Sequence, residues 1–213
     1  MTSRPLVREI PGPAGKLEAL LEQPRLATGA APRAGVVFAH PHPLQGGTMH
    51  TKGVYRATKT LASLGCAVLR INFRGVGASE GAFDNAVGEL DDMRAGLDFM
   101  AARFPQLELW TAGFSFGAYV ALTVGALDER VVRLIGIAPA LHMYDFSIVR
   151  ESRKPKGFVQ GELDELCPLA DLVAFVDELP PPKRLAIVPG ANHLFKDKMA
   201  ELGAALIDVL EDS

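Results

Sequence analysis

Gly113-Phe114-Ser115-Phe116-Gly117 is the stretch on which the fold of this chain turns. Before it, residues 107–112 (Leu-Glu-Leu-Trp-Thr-Ala) are apolar enough to form a buried strand. After it, the small and apolar residues of 118–126 suit a buried helix. So sharp a turn between strand and helix forces its central residue into strained backbone angles, and flanking glycines keep side chains out of the neighbouring elements. Ser115 then stands at the first turn of a helix with its hydroxyl exposed and the Phe116 N–H free to donate. The stretch predicts a serine held ready to react.

The same alternation extends outward in both directions. Residues 5–10 and 16–23, separated by Pro11-Gly12-Pro13, read as an opening hairpin, followed by a looser Ala/Gly/Pro stretch over 24–34. A buried strand over 35–39 ends at His40-Pro41, and a helix over 51–64 is stopped by Gly65. The next strand, 66–71, runs into a glycine-rich loop over 72–81. Residues 89–104 place Leu90, Met93, Leu97 and Met100 on one helical face. Further strands are predicted at 132–138, 155–160 and 183–188. Helices are predicted at 168–179, opened by Pro168, and at 199–210. Short apolar runs alternating with helical patterns predict an α/β fold: one doubly wound, mostly parallel sheet of about eight strands. The whole chain, 1–213, reads as a single domain.

Composition narrows the function. Of 213 residues 48% are hydrophobic and 22% charged, an ordinary globular balance, and the net charge of −3 gives no electrostatic case for nucleic acid. Two cysteines, Cys66 and Cys167, make no disulfide framework. The first ten residues lack the apolar core of a signal peptide, and no apolar run approaches the ~18 residues of a membrane span. The expectation is a soluble, cytoplasmic, enzyme-sized domain.

A serine hydroxyl needs a base, and a histidine base works best when an acid fixes its tautomer. In open α/β sheets such groups lie at the carboxyl ends of strands. Asp164 follows the strand at 155–160, with Glu162 and Glu165 as alternative acids, and His193 follows the last strand. The chain order is Ser, Asp, His, the order tied to serines on strand-to-helix turns. His40, His42 and His50 do not match the spacing of a standard zinc site. His142, with Met143 and Tyr144, reads either as pocket lining or as a packed loop, and the basic residues Arg150, Arg153, Lys154 and Lys156 read as a solvated loop. The latter alternatively suit an anionic acyl carrier or membrane surface.

With these residues in place, the chain resembles the α/β-hydrolase superfamily from about residue 34 to its C-terminus. Gly161, Asp164 and Pro168 are similar to the family's acid loop. Asn72-Phe73-Arg74-Gly75-Val76-Gly77-Ala78-Ser79 resembles its Asp-x-Arg-Gly-x-Gly-x-Ser loop, with Asn in place of Asp. His40-Pro41-His42-Pro43-Leu44-Gln45-Gly46-Gly47 sits where the family carries its oxyanion loop, similar to a subset of small bacterial hydrolases. Neither Pro41 nor Pro43 has an N–H. The resemblance therefore implies an oxyanion hole from the N–H groups of Phe116 and His42, with Leu44 as second choice. Only 16 residues, 140–155, are available where many relatives insert a cap, so no cap domain is expected. Leu44, Phe116, Met143, Tyr144 and Leu194 are the expected pocket wall. The resemblance implies a serine hydrolase, carboxylesterase-like, acting on small to medium esters with no metal or organic cofactor. Thioester or peptide hydrolysis by the same residues, or a non-catalytic scaffold, are the alternatives.

Overall fold

Side chains of the central strands alternate between two apolar layers. In β3 (Gly35–Ala39) Val36 and Phe38 join one core, while Val37 and Ala39 join the other. In β4 (Ala67–Ile71) Val68 faces the first core, and Ala67, Leu69 and Ile71 the second. Burial on both faces explains why these strands read as continuous apolar runs. The computed structural model describes residues 7–24, 26–27 and 30–210.

The opening hairpin is β1 (Glu9–Gly12) and β2 (Gly15–Glu22). Pairing continues through Gly12↔Gly15, so the turn is at Pro13-Ala14 rather than at Pro11-Gly12-Pro13. Residues 5 and 6 of the predicted first strand lie outside the described residues, as does part of the looser stretch at 24–34. After β3 and β4, with α1 (Lys52–Ser63) between them, come α2 (Gly88–Arg103), β5 (Leu109–Phe114) and α3 (Phe116–Leu127). Then follow β6 (Val131–Ile137), α4 (Ser147–Glu151), β7 (Lys156–Gly161), α5 (Leu169–Glu178), β8 (Lys183–Val188) and α6 (Met199–Asp208). Pro168 is the N-cap of α5 rather than a residue inside it.

The eight strands form one sheet in the order β1-β2-β4-β3-β5-β6-β7-β8. The β1/β2 and β2/β4 pairs are antiparallel and all other pairs parallel. This is the α/β-hydrolase fold. β3 has β4 on one side and β5 on the other, so the chain order reverses there and opens a crevice at the carboxyl ends of β3 and β5. Between β6 and β7 the five-residue α4 is the only helix among the described residues, and no cap domain stands over the crevice. Among the described residues, no helix is long and apolar enough to cross a membrane.

Candidate active site

Ser115 directly follows β5 with φ 57° and ψ −117°, a positive-φ conformation that costs a non-glycine residue roughly 1–3 kcal/mol. The surroundings hold it there. Its N–H donates to Ile137 O at 2.8 Å, and its carbonyl accepts Ala118 N–H at 2.9 Å. A methyl group on Gly113 would run into the Gly117 carbonyl, and one on Gly117 into the Ala39 carbonyl at the end of β3. Glycine at both positions lets strand, helix and the β3 loop approach closely. Ser115 is the N-cap of α3, yet its side chain makes no capping bond. The hydroxyl points instead to His193 Nε2, 2.9 Å away.

His193 Nδ1 lies 3.0 and 2.9 Å from Asp164 Oδ1 and Oδ2. Asp164 also accepts the Leu166 and Cys167 N–H groups on Oδ1, both at 2.9 Å, and the Gln160 amide on Oδ2 at 3.0 Å. A carboxylate ringed by donors favours Nδ1–H on the imidazole, which leaves Nε2 free to accept the Ser115 proton. All three side chains are buried or nearly so. Such a relay can remove the hydroxyl proton as the oxygen attacks a carbonyl. The alternative acids are occupied elsewhere. Glu162 accepts Gly190 N–H at 2.8 Å, and Glu165 reaches the His193 backbone N–H at 3.4 Å, not its ring.

Across the crevice, His40 is fully buried. Phe73 N–H donates to its Nε2 at 3.1 Å, so its proton sits on Nδ1, 2.6 Å from Pro41 O. Burial pushes its pKa down to about 4. Neutral His40 thereby ties the β3 loop to the β4 loop, and both ring nitrogens the sequence offered to a metal are used within the chain. His42 is half-buried, and burial lowers its pKa as well. Its Nδ1 accepts the Leu44 N–H at 3.2 Å, which corrects one expectation: Leu44 spends its N–H on His42 and is no oxyanion donor. The N–H groups of His42 and Phe116 have no acceptor among the described residues.

The pocket wall also differs from the sequence reading. Phe116 is buried, with its ring against His42 at 5.2 Å, Phe83 at 6.0 Å and Tyr144 at 5.4 Å. Tyr144 in turn stacks on Tyr119. Phe83, absent from the sequence reading, completes this wall beside His42 at 4.9 Å. It is carried by a loop with positive φ at Asn85 and Ala86. That loop is fixed by buried Glu89, which accepts the Asp84 and Ala86 N–H groups at 2.9 Å each. By contrast Met143 and Leu44 are 59% and 74% exposed and lie outside the buried packing of this aromatic wall. Leu194 lines a groove between α1 and the His193 loop that shares no residue with this aromatic wall.

The remaining positions have structural partners. Asn72 donates to Glu18 Oε2 at 2.7 Å and accepts Met49 N–H at 2.8 Å, so both ends of its amide are used and an aspartate here would set a second carboxylate against Glu18. Lys154 Nζ caps the end of α3 through the Gly125 and Asp128 carbonyls, and Lys156 Nζ binds the Ser152 and Pro180 carbonyls. Arg150 pairs with Glu178. The basic segment is therefore largely bound to its own chain and does not form a free cationic patch. His142 pairs with Asp171 at 2.9 Å on the surface, and Cys167 is a buried thiol whose pKa burial raises to about 11.

Comparison with known proteins agrees with this fold. Residues 30–154 match the family model described as serine aminopeptidase, S33; the match includes Ser115 and ends before Asp164 and His193. The uncharacterized protein RP471 of Rickettsia prowazekii is 36% identical over 209 residues, covering 93% of this chain and 86% of that protein. The α/β serine hydrolase homologue of Coxiella burnetii is 37% identical with a TM-score of 0.90, covering 99% of this chain and 98% of that one. XC6422 from Xanthomonas campestris, an α/β serine hydrolase without lid, is 34% identical with a TM-score of 0.89, over 99% of this chain and 95% of that one. The chain belongs to the serine aminopeptidase S33 family and is an α/β serine hydrolase without a lid.

Proposed function

We propose that this hydrolase cleaves carboxylic esters of small to medium size, with Ser115 as nucleophile, His193 as base and Asp164 as the group that orients it. The continuous Ser115–His193–Asp164 hydrogen-bond relay carries the reading. Ser115 Oγ attacks the ester carbonyl as its proton passes to His193 Nε2. The carbonyl electrons move onto the oxygen, which the N–H groups of Phe116 and His42 receive. As that oxygen regains its double bond, the alkoxy group departs with the proton from His193, leaving an acyl-enzyme. Water, deprotonated by the same histidine, then releases the acid and restores Ser115. The acyl group packs against Phe83, Phe116 and Tyr144, an aromatic wall suited to an uncharged chain.

The family description favours a second reading, release of an N-terminal residue from a peptide, for which the same relay protonates an amine leaving group. A fluorophosphonate probe and a panel of esters, thioesters and aminoacyl amides separate these readings. Wild type should label and hydrolyse esters fastest. Ser115→Ala should lose labelling and about 10⁴-fold or more in turnover. Turnover of that variant within tenfold of wild type removes Ser115 from the mechanism. Faster turnover of aminoacyl amides than of esters selects the peptidase. Absence of both labelling and turnover in wild type points to a scaffold.

A further inference from the structure

Beside the relay, on the side away from the aromatic wall, a groove of about 650 Å³ runs between the start of α1 and the loop from β8 to α6. Asn192 and Leu194, the two neighbours of His193, form its inner end. Gly53 lines it too, and a methyl group there would strike the Phe114 ring, which stands edge-on to His193. Phe114 is fully buried, so that contact lies beneath the surface; the groove reaches the candidate active site through Asn192 and Leu194, which flank His193 in the chain. Leu194, 55% exposed, and Met199 give it apolar surface, and Lys52 and Lys196 stand on its rim.

Resting on the ester-hydrolase reading above, we infer that this groove is the leaving-group subsite, and that it takes an aliphatic alcohol ending in a carboxylate. The direction follows from the proton. His193 Nε2 must deliver it to the departing oxygen, so that oxygen lies on the His193 side of Ser115, and whatever it carries extends past Asn192 and Leu194. The carbonyl oxygen turns the other way, toward Phe116 and His42. The chemical class follows from the rim. Neither Lys52 nor Lys196 has an ion-pair partner among the described residues, while Glu201 is paired with Lys198 at 3.3 Å. Two unpaired ammonium groups against one unpaired carboxylate, Asp197, leave the rim cationic above an apolar floor. An apolar chain with a terminal anion fits both features, and a remote charge at that distance leaves the reactivity of the ester bond itself unchanged.

The test compares butyryl esters of 6-hydroxyhexanoate and of its neutral carboxamide, identical except at the far end of the alcohol. For wild type at low salt, kcat/KM should favour the carboxylate by about fivefold, the size expected of two solvent-exposed charges, and added salt should shrink the preference. In the Lys52→Gln/Lys196→Gln double variant, which leaves Asp197 alone on the rim, the ratio should fall to one or below. Leu194→Glu, which brings the rim to neutrality, should likewise bring it to near one. A carboxylate at the far end of the acyl chain should earn no such preference. A wild-type ratio of one, a ratio indifferent to the lysines, or a preference that appears on the acyl side overturns the subsite. Failure to turn over either ester while ethyl butyrate is hydrolysed overturns it as well. If wild type hydrolyses no ester and takes no fluorophosphonate label, the ester-hydrolase reading fails, and the subsite fails with it.

Discussion

Asp164→Asn tests the relay most sharply, because the structure dictates how the replacement must sit. Oδ1 accepts two backbone N–H groups at 2.9 Å, from Leu166 and Cys167, so the amide oxygen of Asn belongs there. The NH2 group then occupies the Oδ2 site, 2.9 Å from His193 Nδ1 and 3.0 Å from Gln160 Nε2, facing a donor on each side. Gln160 can relieve its contact by turning over, since its Oε1 has no partner, though it gives up the bond to Cys167 O. Oδ1, 3.0 Å from Nδ1, already accepts two backbone N–H groups and has no lone pair left for a third, so His193 relieves its own contact by moving its proton from Nδ1 to Nε2. That tautomer donates to Ser115 and cannot accept from it. Ester turnover should therefore fall roughly 10³- to 10⁴-fold, about 4–5.5 kcal/mol in the barrier, while stability drops by only about 1–3 kcal/mol. Steady-state kinetics give the first quantity and denaturant unfolding the second. Nitrogen NMR of the imidazole should show the proton transferred to Nε2. Turnover within tenfold of wild type, or an imidazole still protonated on Nδ1, refutes the reasoning. So does Glu162→Gln or Glu165→Gln as the more damaging change.

Two further expectations follow from the crevice. His40 has its pKa lowered to about 4 by burial, so between that value and its ordinary 6.5 the unfolded chain binds the extra proton. Stability should then fall as pH drops through this window, by up to about 3 kcal/mol in total. His40→Gln keeps a donor and an acceptor but does not titrate, so its unfolding free energy from pH 7 to 4.5 should lack that component; an unchanged pH slope removes His40 as its source. On substrate size, esters of two- to six-carbon acids should outpace those of twelve or more, because Phe83, Phe116 and Tyr144 wall the acyl side. Phe83→Ala should narrow the gap. With no cap to open, the rate should also saturate on dissolved ester; a jump on emulsification, or a long-chain preference in wild type, contradicts this view of the pocket.

The sheet was legible because its physical causes are local. Strands buried on both faces must be apolar throughout, helices between them must repeat every three to four residues, and glycine marks the breaks. The strand and helix around Ser115 were found this way, displaced by two residues at the start of β5. Asp164 and His193 were legible for a related reason. Each lies just past a strand whose carboxyl end the topology brings to one crevice, so chain order and strand position located them without knowledge of any contact. The hairpin turn was misplaced because proline on an edge strand, such as Pro11, does not forbid pairing there, whereas the sequence reading took it as a stop.

What stayed hidden depends on contacts between distant segments or on competition within one loop. Phe83 carries no motif; it reaches Phe116 only because Glu89 anchors its loop, and an acidic residue at the start of a helix reads first as a favourable partner of the helix dipole. Asn72 stands where the resembled loop has aspartate, and the turn around it gives no reason for an amide. Glu18 of β2, far away in sequence, makes it a requirement, since a second carboxylate there would face the first. Leu44 lost its expected role to the ring of His42, a side chain two residues away that captured the N–H a substrate would have needed. Met143 and Tyr144 are neighbours in an irregular loop, where no period tells which one turns inward; the Tyr119 ring decides it by stacking on Tyr144. Ser115, Asp164 and His193 are thus brought together by topology, which the sequence reveals, whereas the aromatic wall beside them is fixed by partners that meet only in the folded chain.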